Sequence, residues 1–384
     1  MVSMLQGLTL LDFSSMGPGP RCTRLLADYG MRVIKVRPPR GTRMMEAPWY
    51  TYSANRGIPQ IHVDLKTEAG GDLVRRLLPH VDAVVESFRP GVVGRLGIGY
   101  DDVRTVNQAV VYCSVSGFGQ HGPYADWPAH DVNWLALTGF LGGGSRADQE
   151  APPLPGATVA DAVGGFSTAT AILSALIRKI STGEGTFLDS TVIDGVLRTM
   201  HAVIDQHLAE EGADDTSTPG MLTGASACYN VYRAADGRWL AVGAIESHFW
   251  AALCQGLNLE HLIADQHDPA RQAELKDEIA RAFAARPRDE WIAALGPVAC
   301  VTPVNTVEEA LRDPHLRSRP LTVEVGVGDR RVRQMAPRLA VPDPDDLLEQ
   351  PAGPTPAAAV DDLLETLGIP RHETADLRAA EVLA

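Results

Sequence analysis

Between residues 8 and 115, five short apolar runs alternate with segments of helical periodicity, and this alternation leaves few folds open. The runs are Leu8 to Phe13, Arg32 to Val36, Ile61 to Leu65, Val81 to Glu86 and Val110 to Val115; helical patterns lie at Arg21 to Tyr29, Gly70 to Leu78 and Asp101 to Val106. A strand, a helix and a second strand return to one sheet by a crossover, so the pattern predicts an α/β fold with a parallel, covered sheet. The first turn carries Gly17-Pro18-Gly19-Pro20, where a dinucleotide fold would carry G-x-G-x-x-G. The prolines and the absent third glycine speak against a nicotinamide site and for a rigid turn.

Beyond residue 115 the chain becomes more helical. Ala160 to Lys179 is apolar and rich in small residues, as a buried helix would be, with Asp161 in or near its first turn. Thr186 to His207 reads as a strand end and a long helix, and polar Glu210 to Ser217 as a linker. Cys228 to Gly243 with its Asp236-Gly237 turn, followed by helical patterns at Phe249 to Gly256 and Ala273 to Phe283, predicts a smaller domain. A proline-rich stretch from Pro342 to Pro356 precedes a last helix over Ala357 to Leu367, and periodicity alone does not say where this tail packs.

Composition narrows the partners. With 384 residues, 45% of them hydrophobic, the chain has enough apolar surface for two or more domains. A formal charge of −14 excludes a general duplex binder, which needs a basic surface. No signal segment opens the chain and no stretch of 18 apolar residues interrupts it, so the reading is a cytoplasmic protein with no membrane span. The five cysteines are odd in number and widely spaced, which predicts reduced thiols and no metal cluster. One local exception stands against the acidity: Met31 to Met45 has no Asp or Glu, but contains Arg32, Lys35, Arg37, Arg40 and Arg43. Such an island suits a small polyanion such as a nucleotide or coenzyme A, although a solvated strand and loop would carry the same charges.

Two ionisable residues flank the glycine-rich stretch at 142–144: His130 in Pro-Ala-His130-Asp-Val-Asn-Trp, and Asp161 in Val-Ala-Asp161-Ala-Val-Gly-Gly. Imidazole has an ordinary pKa near ~6.5 and is available as a neutral base at pH 7. Set on opposite faces of one carbon, such a base and a carboxyl could remove a proton on one side and return it on the other. Free backbone N–H groups at the start of the Asp161 helix could receive an oxygen as negative charge develops on it, while the helix dipole keeps the carboxylate ionised. Taken singly, each residue has a plainer reading: His130 as a hydrogen-bonded loop histidine, Asp161 as a helix cap, and Arg89 as a surface partner of Glu86.

A resemblance covers nearly the whole chain. Leu11-Asp12-Phe13, Gly17-Pro18-Gly19-Pro20, Leu26-Ala27-Asp28-Tyr29-Gly30, Glu86-Ser87-Phe88-Arg89-Pro90-Gly91, Ser116-Gly117-Phe118-Gly119-Gln120-His121-Gly122-Pro123 and the Asp161 helix resemble the family III CoA-transferases and alpha-methylacyl-CoA racemases. Three features are similar to the racemase branch: Gly-Pro-Gly-Pro at 17–20, His130 before Asp131, and Ala244-Ile245-Glu246 before Phe249-Trp250. Formyl-CoA transferase and its like generally lack the histidine.

The resemblance implies a Rossmann-like large domain from both chain ends (1–195 and 321–384), a linker and small α+β domain over 196–320, and an interlocked homodimer. It implies that Arg89 meets the CoA phosphates, that His130 and Asp161 are the acid/base pair, and that Glu246 and Asp131 support His130. Tyr229 is a weaker site candidate, since a packed aromatic with a satisfied hydroxyl reads the same way. No cofactor is expected beyond the CoA that the substrate carries. Two departures concern that CoA: relatives commonly read Lys-Val-Glu-x-Pro where this chain has Lys35-Val36-Arg37-Pro38-Pro39, and the usual basic residues after Asn-Arg are replaced in Asn55-Arg56-Gly57-Ile58-Pro59-Gln60. Arg37, Arg40 and Arg43 could substitute. Three readings therefore stand: a racemase of 2-methyl-branched acyl-CoA, a CoA-transferase with Asp161 as nucleophile, and a CoA-binding protein without catalysis.

Overall fold

The computed structural model describes residues 4–39, 41–42, 54–144, 151–209, 220–319, 322–327, 330–336 and 357–383. The chain divides into two compact units, one of Met1–Thr138, Pro155–Thr199 and Arg319–Ala384, the other of Gly139–Leu154 and Met200–Ser318.

The first unit is built on a six-stranded parallel sheet, β1 (Thr9–Asp12), β2 (Arg32–Arg37), β3 (Gln60–His62), β4 (Ala83–Glu86), β5 (Val111–Ser116) and β6 (Thr186–Thr191), in the order β3-β2-β1-β4-β5-β6. Among its helices are α1 (Pro18–Asp28), α2 (Glu68–Leu77), α3 (Tyr100–Val106), α4 (Asp131–Leu137), α5 (Val159–Thr182) and α6 (Val192–Thr199). Successive strand residues face opposite sides. Leu11, Ile34, Val84 and Tyr112 enter one core with Leu73 and Leu77 of α2, while Leu10, Val33, Val85 and Cys113 enter another with Leu26 of α1 and Ile172 and Leu176 of α5. Burial on both faces is why these strands read as continuous apolar runs rather than alternating ones.

The tail joins the first core. Val360, Leu364, Leu367 and Ile369, from and just beyond the helix Ala357–Thr366, lie in the same cluster as Leu11, and Leu383 forms an antiparallel bridge with Val63. A further helix, Arg371–Ala379, follows that the sequence reading did not include. The hairpin Thr322–Val327 and Arg330–Met335 is tied in by buried Arg56, which donates to the Met335 carbonyl at 2.7 Å and to Gln334 Oε1 at 3.3 Å.

Two boundaries differ from expectation. Helix α1 starts at Pro18, not Arg21, because proline at the first helical position loses no hydrogen bond and has the right φ. The long helix expected to end at His207 breaks at Met200 into α6 and α7 (His201–Ala209), where the two units divide. Helix α5 is long and apolar enough to cross a membrane by length and composition. Here it packs on α1, α4, α6, β5 and β6, with Ala160, Gly164, Ala169, Ile172 and Leu176 buried.

The second unit has its own core. An antiparallel sheet of β7 (Tyr229–Arg233), β8 (Trp239–Gly243) and β9 (Val301–Pro303) packs one face on α8 (Ser247–Leu257), α9 (Gln272–Phe283) and α10 (Arg288–Leu295). Tyr232, Leu240 and Val242 point inward with Trp250 and Phe283, whereas Tyr229, Val231 and Trp239 are exposed. Gly237 takes φ 79° in the hairpin turn. The expected linker at 210–217 and the proline-rich 342–356 fall outside the described residues.

Candidate active site

In the first unit the strand order runs outward from β1 on one side and from β4 on the other, so the crevice at their carboxyl ends is the topological switch point, where open α/β sheets bind ligands. A cavity of about 310 Å³ lies there. Ser15 and Met16 after β1, Ser87 and Arg89 after β4, Gly117 after β5 and His130 line it.

The loops that form this cavity are pinned by buried carboxylates. Asp12 at the end of β1 accepts from the Ser14 N–H (2.7 Å), Ser14 Oγ (2.5 Å), Thr23 Oγ1 (2.6 Å) and Lys35 Nζ (2.8 Å), and Lys35 also donates to the Ser14 carbonyl (3.1 Å). Glu86 at the end of β4 accepts from the Phe88 N–H at 2.7 Å, and burial pushes its carboxyl up. The plainer reading of Arg89, as a partner of Glu86, does not hold: Glu86 turns inward, and Arg89 is exposed at the cavity with no ion pair among the described residues.

His130 is the N-cap residue of α4, in extended conformation. Its backbone N–H donates to Asn133 Oδ1 at 3.0 Å, and the Asn133 N–H donates to the His130 carbonyl at 2.9 Å. This reciprocal cap sets the imidazole at the cavity lining. Four residues on, Trp134 packs its indole against Gly117 so closely that a Cβ there would lie 2.5 Å from Nε1.

Asp161 stands in the first turn of α5, as expected. Its carboxyl faces the turn after β1: a Cβ on Gly17, whose φ is 77°, would lie 3.3 Å from Oδ1. Burial pushes the Asp161 carboxyl up, and the strongest opposing influence is the Arg21 guanidinium; Asp131 adds to the rise and His130 counters it.

Asp131 does not support His130 in the way expected. Its Oδ1 accepts the Asp161 N–H at 2.9 Å, and no hydrogen bond joins it to the imidazole among the described residues. That bond ties α4 to the start of α5, bringing the His130 and Asp161 segments together. It also occupies the Asp161 amide, one of the N–H groups expected to receive an oxygen developing negative charge.

The remaining candidates are placed elsewhere. Arg37 ends β2, while Arg40 and Arg43 lie outside the described residues. Glu246 caps α8, where its carbonyl accepts from the Trp250 N–H at 3.0 Å, and Tyr229 opens β7; both belong to the second unit. Tyr229 and Cys300 line a separate cavity of about 510 Å³ on the exposed face of the small sheet. Arg21 was missed, because a helix begun at residue 21 puts it at the cap rather than in the second turn. The proline at N1 was the signal that would have moved it.

The model of CoA-transferase family III matches residues 5–358. The chain belongs to this family. Among family III relatives, human alpha-methylacyl-CoA racemase is 35% identical over 323 residues, covering 82% of this chain and 81% of that protein. Succinyl-CoA–D-citramalate CoA-transferase of Chloroflexus aurantiacus is 30% identical over 359 residues, covering 88% of each. A solved CAIB/BAIF family protein from Brucella suis superposes with a TM-score of 0.77 at 26% identity, over 98% of this chain and 99% of that one. Rv3272 from Mycobacterium tuberculosis does so with a TM-score of 0.79 at 25% identity, over 92% and 97%. The family is enzymatic, with racemases and CoA-transferases among its members.

Proposed function

We propose that this chain is a racemase that interconverts the 2R and 2S forms of 2-methyl-branched acyl-CoA thioesters. The observation that carries the reading is the pairing in one unit of a cavity-lining imidazole, His130, with a largely buried carboxyl, Asp161, on segments joined by the Asp131–Asp161 hydrogen bond. One group takes the α-proton, leaving its electron pair delocalised into the thioester as an enolate, and the other returns a proton to the opposite face. A two-base exchange requires one group to hold a proton while the other is free to take one, and burial, which pushes the Asp161 carboxyl up, favours its carrying a proton. Neither step needs a metal or redox group. Arg89, and Arg37 with Arg40 and Arg43, would meet the CoA phosphates, since guanidinium binds phosphate from several directions. The working form is taken to be a cytoplasmic homodimer, and the exposed Phe166, Ile177 and Ile180 on α5 offer an apolar face for it.

The test is incubation with a 2-methylacyl-CoA in deuterated water. Label enters the α-carbon with no second acyl acceptor, no CoA is released, and the exchange survives chelators. His130→Ala and Asp161→Ala each stop inversion in both directions, as the equilibrium demands. Each also leaves α-hydrogen exchange from one enantiomer only, and the two variants retain opposite ones.

CoA transfer is the second reading, favoured by the transferases among the relatives. There Asp161 attacks the thioester carbonyl, expels CoA thiolate and becomes an acyl anhydride. Hydroxylamine or borohydride would trap that anhydride as a mass change on the Asp161 peptide, with His130→Ala still active. That result refutes the racemase.

A further inference from the structure

Arg21 takes no part in the chemistry above, and its placement is unusual for a surface arginine. It lies in α1 where that helix crosses α5: a Cβ on Gly165 would come within 2.8 Å of Arg21 Cβ and 3.1 Å of the Pro18 carbonyl, so only glycine at 165 lets the helices approach this closely. From there the side chain reaches the start of α5. Its Nη2 donates to the hydroxyl of Thr158, the N-cap residue, and stands 4.0 Å from Asp161 Oδ2. Nε is buried and has no hydrogen-bond partner among the described residues. The guanidinium is thus held between two helices with one carboxylate in front of it.

We propose that Arg21 is a positioning residue for Asp161: anchored on Thr158, it holds the carboxylate facing Gly17 in the turn after β1 and favours its ionised form. The inference rests on the reading of Asp161 as one of two proton-carrying groups.

The charges around Asp161 leave this role to Arg21. On the same helix α1, Arg24 is engaged with Asp28 and with the Arg56 carbonyl. From α4 come His130, which counters the rise, and Asp131, which adds to it. Asp189 of β6 accepts from the Gln120 N–H, and neither it nor Asp194 and Arg198 of α6 figures among the groups acting on Asp161. Burial raises the carboxyl, leaving it 15% exposed, and Arg21 is the leading influence in the other direction. An opposite charge at this separation favours the ionised carboxyl, and because Arg21 is 33% exposed, solvent screens part of its pull.

The experiment reads the Asp161 carboxyl directly, by carbon-13 NMR of protein labelled at aspartate and assigned with Asp161→Asn. In Arg21→Met the midpoint rises by about one pH unit. Arg21→Lys, which keeps a charge without the fork, recovers part of the difference. Thr158→Val, which removes the anchor, gives a smaller rise. The acid limb of kcat/KM for α-hydrogen exchange moves upward with the midpoint while KM stays within twofold. An unmoved midpoint in a folded Arg21→Met protein overturns the role of Arg21. Absence of exchange in the unaltered enzyme overturns the racemase instead, and the NMR midpoint keeps the two failures apart.

Discussion

Lys35→Met tests whether the loop beside Asp161 is held by one buried ion pair. Lys35 and Asp12 are 1% and 0% exposed, and the 2.8 Å bond between them is one of four that the Asp12 carboxylate accepts. Methionine matches the lysine stem in length and keeps its packing. It removes the cation and the 3.1 Å bond to the Ser14 carbonyl, and leaves Asp12 with three neutral donors. Removing one partner of a buried pair costs about 3–5 kcal/mol, far above the roughly 0–1 kcal/mol of a surface pair. Asp12→Asn keeps one acceptor oxygen, for Ser14, while removing the charge that Lys35 neutralises. Lys35→Met should therefore cost at least about 2 kcal/mol less in the Asp12→Asn background than alone, a coupling expected only for groups in direct contact. Urea unfolding of the three variants measures this. A cost under about 1 kcal/mol for Lys35→Met, or additivity in the double variant, would refute the argument. Because Ser14 leads directly into Ser15, Met16 and Gly17, the same variant should also lose exchange activity at temperatures where it remains folded.

Two further outcomes follow from the geometry. Gly17→Ala forces a side chain into φ 77°, ψ −139° and toward Asp161 Oδ1, so it should cost about 1–3 kcal/mol and abolish most activity, whereas Gly7→Ala, at φ 93° with nothing within 4 Å, should lose stability alone; equal activities in the two variants would show that the approach to Asp161 is unimportant. Ile177→Glu with Ile180→Glu places two charges on residues that are 69% and 71% exposed in the single chain, and should convert a dimer to folded monomer by sedimentation, an unchanged mass counting against this face as the dimer contact.

The sheet was legible because period and composition are local properties. Strands such as Val81 to Glu86, buried on both faces, must be apolar throughout, and an Asp-Gly pair or a proline at N1 acts within one turn. His130 and Asp161 stood out for a similar reason, as ionisable residues in motifs, Pro-Ala-His-Asp and Val-Ala-Asp, that carry their family wherever the chain folds. The start of α1 was misplaced by a few residues and the break at Met200 was not foreseen, since helix ends depend on what the helix packs against.

The electrostatic partners were not legible at all, for they come from separate stretches of chain: Asp12 with Lys35 across neighbouring strands, Asp131 with the Asp161 amide 30 residues on, and Arg21 with Thr158 from 137 residues away. Motif position alone set Asp131 beside His130, and only packing turned it onto α5. The sequence by itself determined the α/β alternation, the family and the two ionisable groups. Tertiary structure decided which charge faces Asp161 and how deeply the carboxyl is buried, because Coulomb energy and desolvation depend on distance and solvent in space and not on separation along the chain.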